Sequence, residues 1–282
     1  DLKHPLESML TRLGTLTFQQ KLGSMLEKSQ RITALVEKLA PAFGLSGDEL
    51  KAASRAAKLS KADLVTHMVV EMTSLQGVMG RYYARYFGEP EAVAQALYEQ
   101  YLPRYTGDAV PSSKIGLILG VADRLDSLTG LFAAGLAPTG TKDPFAQRRA
   151  ALGLVQSLGA FNLDIDLREA LKQAAAQYSF TIDQKSLDAT LDFIIGRLKN
   201  SLTDQGVRYD IVDAVLAEQG YNPAGVYRAV KELSVWVTRP DWSTILPAFS
   251  RCVRITRDQK EIYSVTPTVF VETSEKELFQ AI

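Results

Sequence analysis

In KADLVTHMVVEM, two carboxylates and a histidine recur at helical spacing: Asp63, His67 and Glu71 stand at i, i+4 and i+8 and share one helix face. A carboxylate and an imidazole so placed could hold a divalent metal or exchange a proton. Leu64, Val65, Met68 and Met72 line the opposite face, so the three groups are expected as a solvated or partner-facing polar stripe. Asp123 and Asp126, three residues apart in GVADRLDSL, border the apolar run of Ile115, Leu119 and Ala122. They could share a metal or a proton, but a structural role is favoured, with each capping or pairing with a basic neighbour such as Arg124.

GLAPTGTKDPFAQRRAALGLV is the most unusual segment. Pro138, Gly140 and Pro144 fix a tight loop, and Lys142, Arg148 and Arg149 place three positive charges around it near the start of a helix. A helix N-terminus beside Lys and Arg suits a phosphate. The same residues also fit a solvated loop in which Asp143 caps the helix and Pro144 takes its first position. Both readings stand. Tyr82, Tyr83, Tyr86, Phe87, Tyr98, Tyr101 and Tyr105 could stack on bases, yet their helical spacing favours core packing. There is no Gly-rich phosphate loop, metal-type Cys pair or nucleophile elbow. His4 and His67 are the only histidines, so a two-histidine metal site would need both.

The elements that position these groups are helices. Apolar residues recur at helical spacing nearly throughout, predicting helices near 5–40, 48–58, 61–72, 75–87, 90–102, 112–134 and 144–159. Leu187, Leu191, Ile194, Leu198 and Leu202 form a stripe that stops at Gly206, and Ile211, Val212, Val215 and Leu216 form another that stops at Gly220. Asn222 and Pro223 predict an N-cap and first position for a helix through about Val237. FNLDID, 161–166, breaks the pattern and is expected as a short extended segment dividing the chain. Its 282 residues, 46% hydrophobic, suffice for one large domain or two ordinary ones and exclude disorder. The 32 basic and 32 acidic residues cancel, which excludes a bulk basic nucleic-acid binder; polyanion contact would need a local patch. The single cysteine, Cys252, cannot form an intrachain disulfide, and no apolar run is long enough for a membrane span, so a reducing cytoplasm is the expected compartment.

Two long blocks, KADLVTHMVVEMTSLQGVMGRYYARYFGEPEAVAQALYEQYLP and VADRLDSLTGLFAAGLAPTGTKDPFAQRRAALGLV, resemble signature blocks of the β subunit of bacterial two-subunit glycyl-tRNA synthetases. FQQKLGSMLEKSQRI is similar to a third block, FIIGRLKNSLTDQGVRYDIVDAVLA to the next helical region, and FSRCVRIT to the opening of the family's anticodon-binding domain. The resemblance covers nearly the whole chain and fades after about Asp258. It implies an all-α piece of a longer protein, truncated at both ends, with an HD-like helical domain over 1–163. Residues 164–282 would be a helical linker and body region running into the anticodon-binding domain, with at most minor β structure.

The resemblance further implies an α2β2 ligase in which α carries the ATP, glycine and adenylate chemistry and β supplies tRNA recognition. This piece would then be a noncatalytic tRNA-binding and assembly portion. Its expected partners are the α subunit, tRNA(Gly) and a second β subunit, and no membrane. It would hold no cofactor, while ATP and Mg2+ would sit at α. Arg81, Lys142, Arg148 and Arg149 are the candidate tRNA contacts. HD-type phosphohydrolases use a histidine, a His-Asp pair and a later aspartate; here the pair position reads Ala62-Asp63, and Asp123 resembles the later aspartate. The missing histidine argues against hydrolase activity and a metal site, and His67 gains no support from the family. The competing readings are an HD-type metal-dependent phosphohydrolase and a helical protein-interaction scaffold.

Overall fold

A computed structural model describes residues 1–105, 107–261 and 264–281. Among the described residues the elements are helices apart from one two-stranded hairpin, as the periodicity predicts. Residues 5–40 are the main departure from the expected helices. They divide into a 3-10 helix Leu6–Thr15, the antiparallel strands β1 (Thr17–Gln19) and β2 (Gly23–Ser24), and helix α1 (Met25–Leu39). The reason is local: Ser24 accepts from the Glu27 N–H while the Glu27 carboxylate accepts from the Ser24 N–H, a capping box that sets a fresh helix start.

Helix α2 (Gly47–Leu59) follows, and the expected helix over 61–72 is again broken. Thr66 is extended between a 3-10 helix Ala62–Val65 and α3 (His67–Glu71), and its hydroxyl donates to the Asp63 carbonyl at 2.6 Å. A threonine that satisfies a backbone carbonyl itself competes with the helix ladder. After a 3-10 turn at Thr73–Leu75 come α4 (Val78–Tyr86), α5 (Glu91–Glu99) and α6 (Lys114–Ala133). Helix α6 is the central shaft, packed against α1, α2 and α5 and, from later in the chain, α7 (Gln147–Ala160), α8 (Leu167–Ala175) and α9 (Gln184–Asp204). Its Leu117, Ile118, Leu119, Val121, Leu125, Leu128 and Leu131 are all buried, the apolar all-round pattern of a helix without a solvent face.

Helices α10 (Tyr209–Gln219) and α11 (Pro223–Trp236) complete this bundle. The expected cap at α11 is present: Asn222 Oδ1 accepts from the Gly225 N–H at 3.1 Å and Pro223 opens the helix. Residues 161–166 are a loop and form no strand. Asn162 there has a φ of 49°, Ile165 is buried, and Asp166 caps α8. Because α8 and α9 pack on α6, a boundary at 163/164 runs inside one packed body; the two compact units are Asp1–Ser234 and Val235–Ile282. The second contains α12 (Trp242–Thr256), a 3-10 turn at Pro267–Val269 and α13 (Thr273–Ala281), with no residue of these helices buried. No helix among the described residues is long and apolar enough to cross a membrane.

Candidate functional site

The fold takes Asp63, His67 and Glu71 off their expected common face. His67 and Glu71 are exposed on α3, whereas Asp63 lies before the break and is 2% exposed. Its Oδ2 accepts from the backbone N–H groups of Gly77 at 2.6 Å and Gly80 at 3.1 Å. Burial raises the Asp63 carboxyl above the usual carboxylate range, against the opposing pull of these two N–H groups and of Lys61. At Gly77, φ is +75° and an added Cβ would collide with the Tyr101 ring, so this contact requires glycine.

Asp123 and Asp126 are tied to cations from α1 and from the turn after α2, and not to Arg124. Lys28 Nζ lies 2.9 Å from Asp123 Oδ1 and 2.9 Å from Asp126 Oδ2, and it donates to Ser127 Oγ at 2.7 Å. Lys61 Nζ reaches Asp123 Oδ2 at 2.7 Å, and Arg31 Nε reaches Asp126 Oδ1 at 2.6 Å. Burial pushes the Asp123 carboxyl up, but Lys28 and Lys61 together outweigh it and hold the group well below the ordinary aspartate range. Arg124 turns instead to the carbonyls of Gln100, Gly120 and Leu102, and burial brings its guanidinium down to about 10. Two carboxylates thus face three cations. A divalent metal would have to displace ammonium groups that already neutralise its ligands, so these residues do not fit a metal centre. Among the described residues no three His, Cys, Asp or Glu side chains gather as a metal shell.

The basic segment is built as an ordered turn. Thr139 and Lys142 exchange backbone hydrogen bonds, and the Asp143 carboxylate accepts from the N–H groups of Gln147 at 2.8 Å and Arg148 at 2.9 Å. Asp143 caps α7 as expected, yet the helix opens at Gln147: Pro144 lies in the preceding turn, and Ala146 adopts a left-handed φ of 53°. Arg148 Nη2 donates to the Gly140 carbonyl at 2.6 Å. Lys142 and Arg149 are exposed, and Arg149 makes no hydrogen bond or ion pair among the described residues. Arg81 is half-buried, 4.3 Å from the Tyr98 ring centroid, and donates to Gln95 at 3.4 Å. Of the aromatic cluster, Tyr83 is buried, Phe87, Tyr98 and Tyr101 are half-buried, and Tyr82, Tyr86 and Tyr105 face outward.

This cation-filled acidic centre and the capped basic turn fall within a stretch that matches a known family. The profile of the glycyl-tRNA synthetase beta subunit matches residues 1–217. The chain belongs to that family. It is 44% identical over 261 residues to the glycine–tRNA ligase beta subunit of Chromohalobacter salexigens, covering 92% of this chain and 38% of that one. It is 41% identical to the same subunit of Actinobacillus pleuropneumoniae over 284 residues and 37% identical to that of Moorella thermoacetica over 290, in both cases over all of this chain. The chain spans about two fifths of the length of these relatives. The functional-site residues that the sequence did not reveal in this chain are Lys28, Arg31 and Lys61. Lys28 and Arg31 at i, i+3 on α1 match Asp123 and Asp126 at i, i+3 on α6, but that spacing does not say that the two faces meet, and Lys61 carried no signal at all.

Proposed function

We propose that this chain is a noncatalytic tRNA-handling and assembly portion of a cytoplasmic glycyl-tRNA synthetase. ATP, glycine and Mg2+ would be handled by a partner α subunit, and tRNA(Gly) and a second β subunit would complete the complex. The observation that carries the tRNA contact is Arg149, exposed in the first turn of α7 just after the ordered turn that holds Lys142, its side chain without a partner among the described residues. A cation held by a fixed backbone loses less ordering entropy on meeting a phosphate than one on a mobile loop. Arg148 is the weaker candidate, because its guanidinium is already engaged by the Gly140 carbonyl.

Lys142→Ala, Arg148→Ala and Arg149→Ala, each made in the full complex, test this reading through fold stability, α association and glycylation. Lys142→Ala and Arg149→Ala should leave folding and assembly unchanged, lower kcat/KM for tRNA, and make the salt dependence shallower by roughly one per lost duplex phosphate contact. Arg148→Ala should also loosen the turn. If all three variants charge tRNA like the parent, the turn is a structural connection and the proposal falls.

A further inference from the structure

Between α7 and α9, with Tyr105 at its edge, lies a cleft of about 600 Å³. Arg148, Arg149 and Arg197 are among its lining residues, with Asp204 as the single acidic one, and the Arg148 guanidinium is already engaged by the Gly140 carbonyl. Arg149 has no partner among the described residues, and the half-buried Arg197 leaves its Nε without a hydrogen-bond partner. Once the Asn200 amide is oriented to donate to the Gly196 carbonyl, its oxygen accepts from Arg197 Nη2 at 3.2 Å, which holds that guanidinium in place. The Tyr105 ring is 66% exposed. A second recess of about 390 Å³ shares Pro103 and Arg149 with the first, so Arg149 stands between two adjoining spaces.

Cations with unused donors ask for an anion, and an exposed aromatic ring in the lining asks for a flat partner. A nucleotide supplies both. The volume falls within the range of roughly 300–1,000 Å³ typical of small-molecule sites, which suits one or two nucleotides and not a duplex lying across a surface. We propose that this cleft receives an unpaired stretch of RNA: Arg149 and Arg197 hold its phosphodiester oxygens and Tyr105 stacks on a base. The inference rests on the tRNA-handling reading above and adds to it the single-stranded character of the ligand and the roles of Tyr105 and Arg197.

The test measures binding of the chain to a fluorescein-labelled single-stranded ribohexamer and to the same hexamer annealed to its complement, beside tRNA binding by the full complex. The hexamer should bind more tightly than the duplex. Tyr105→Ala should weaken it by roughly 5- to 150-fold, the span of one base–aromatic stack, and Tyr105→Phe should restore it. Arg149→Gln and Arg197→Gln should each make the salt dependence shallower by about 0.7, with Arg197→Lys falling in between and melting curves unchanged. If the cleft variants bind the hexamer like the parent, or the duplex binds as well as the single strand, the inference is overturned. Should Lys142→Ala still weaken tRNA binding by the complex in that case, the tRNA reading survives and the cleft alone is rejected. If the parent complex binds no tRNA, both fall.

Discussion

Asp123 shows how a residue that could do chemistry is held to a structural task. Its two oxygens meet Lys28 and Lys61, both buried, so deleting the carboxylate leaves the Lys61 ammonium with no counter-charge, only the Gln100 amide oxygen, and Lys28 sharing Asp126 with Arg31. Asp123→Ala should therefore cost about 3–5 kcal/mol of folding stability, read from chemical denaturation. The linkage has a definite sign. The folded group titrates below its unfolded value of about 3.9, so its stabilisation is complete above that pH and is lost as the solution is acidified toward the folded pKa. Stability followed from pH 6 down to pH 2 should fall less steeply in Asp123→Asn than in the parent; an identical acid limb would remove Asp123 from the account. The type and position of this aspartate were legible in the sequence. Its partners were not, because they lie 95 and 62 residues away and only the packing of α1 and Lys61 against α6 joins them.

Among the elements, α6 depends on close approach. An added Cβ at Gly130 would run into the Tyr178 hydroxyl, which donates to the Asp126 carbonyl at 2.8 Å. Gly130→Ala should destabilise by about 1–3 kcal/mol through overpacking, and Tyr178→Phe by about 1 kcal/mol through the lost hydrogen bond. Phe removes the nearest colliding atom but leaves the ring carbon Cζ 2.7 Å from the added Cβ, so the clash is reduced and not abolished. The double variant should therefore be less destabilised than the sum of the two, with a coupling of roughly 0.5 kcal/mol or more in thermal melts. Strict additivity would show that the helix shifts instead. Helix periodicity located α2, α4, α5, α6 and α9 to α11 well. It failed at 5–40 and 61–72, where Ser24 with Glu27 and the Thr66 hydroxyl satisfy backbone groups locally and end helices that the apolar pattern alone would run through.

Across the whole molecule, burial is uneven. The unit Asp1–Ser234 surrounds α6 with packed helices, whereas α12 and α13 bury no residue and Leu246, Phe249 and Ile255 remain exposed. Amide hydrogen exchange should be slowest in α6 and at least about tenfold faster in α12, because opening α12 releases little buried apolar area; equal protection would contradict this distribution. The helical class, most helix positions, the α11 cap, the balanced charge and the resemblance to the beta subunit were all determined by the sequence itself. Each of these rests on interactions within about four residues or on uninterrupted local pattern. The tertiary structure alone decided that Asp63 is buried on the Gly77 and Gly80 amides, that lysines fill the acidic centre, and that Tyr105, Arg149 and Arg197 line one cleft. Those groups are brought together by helix packing over tens of residues, and spacing along a chain carries no information about which distant faces meet.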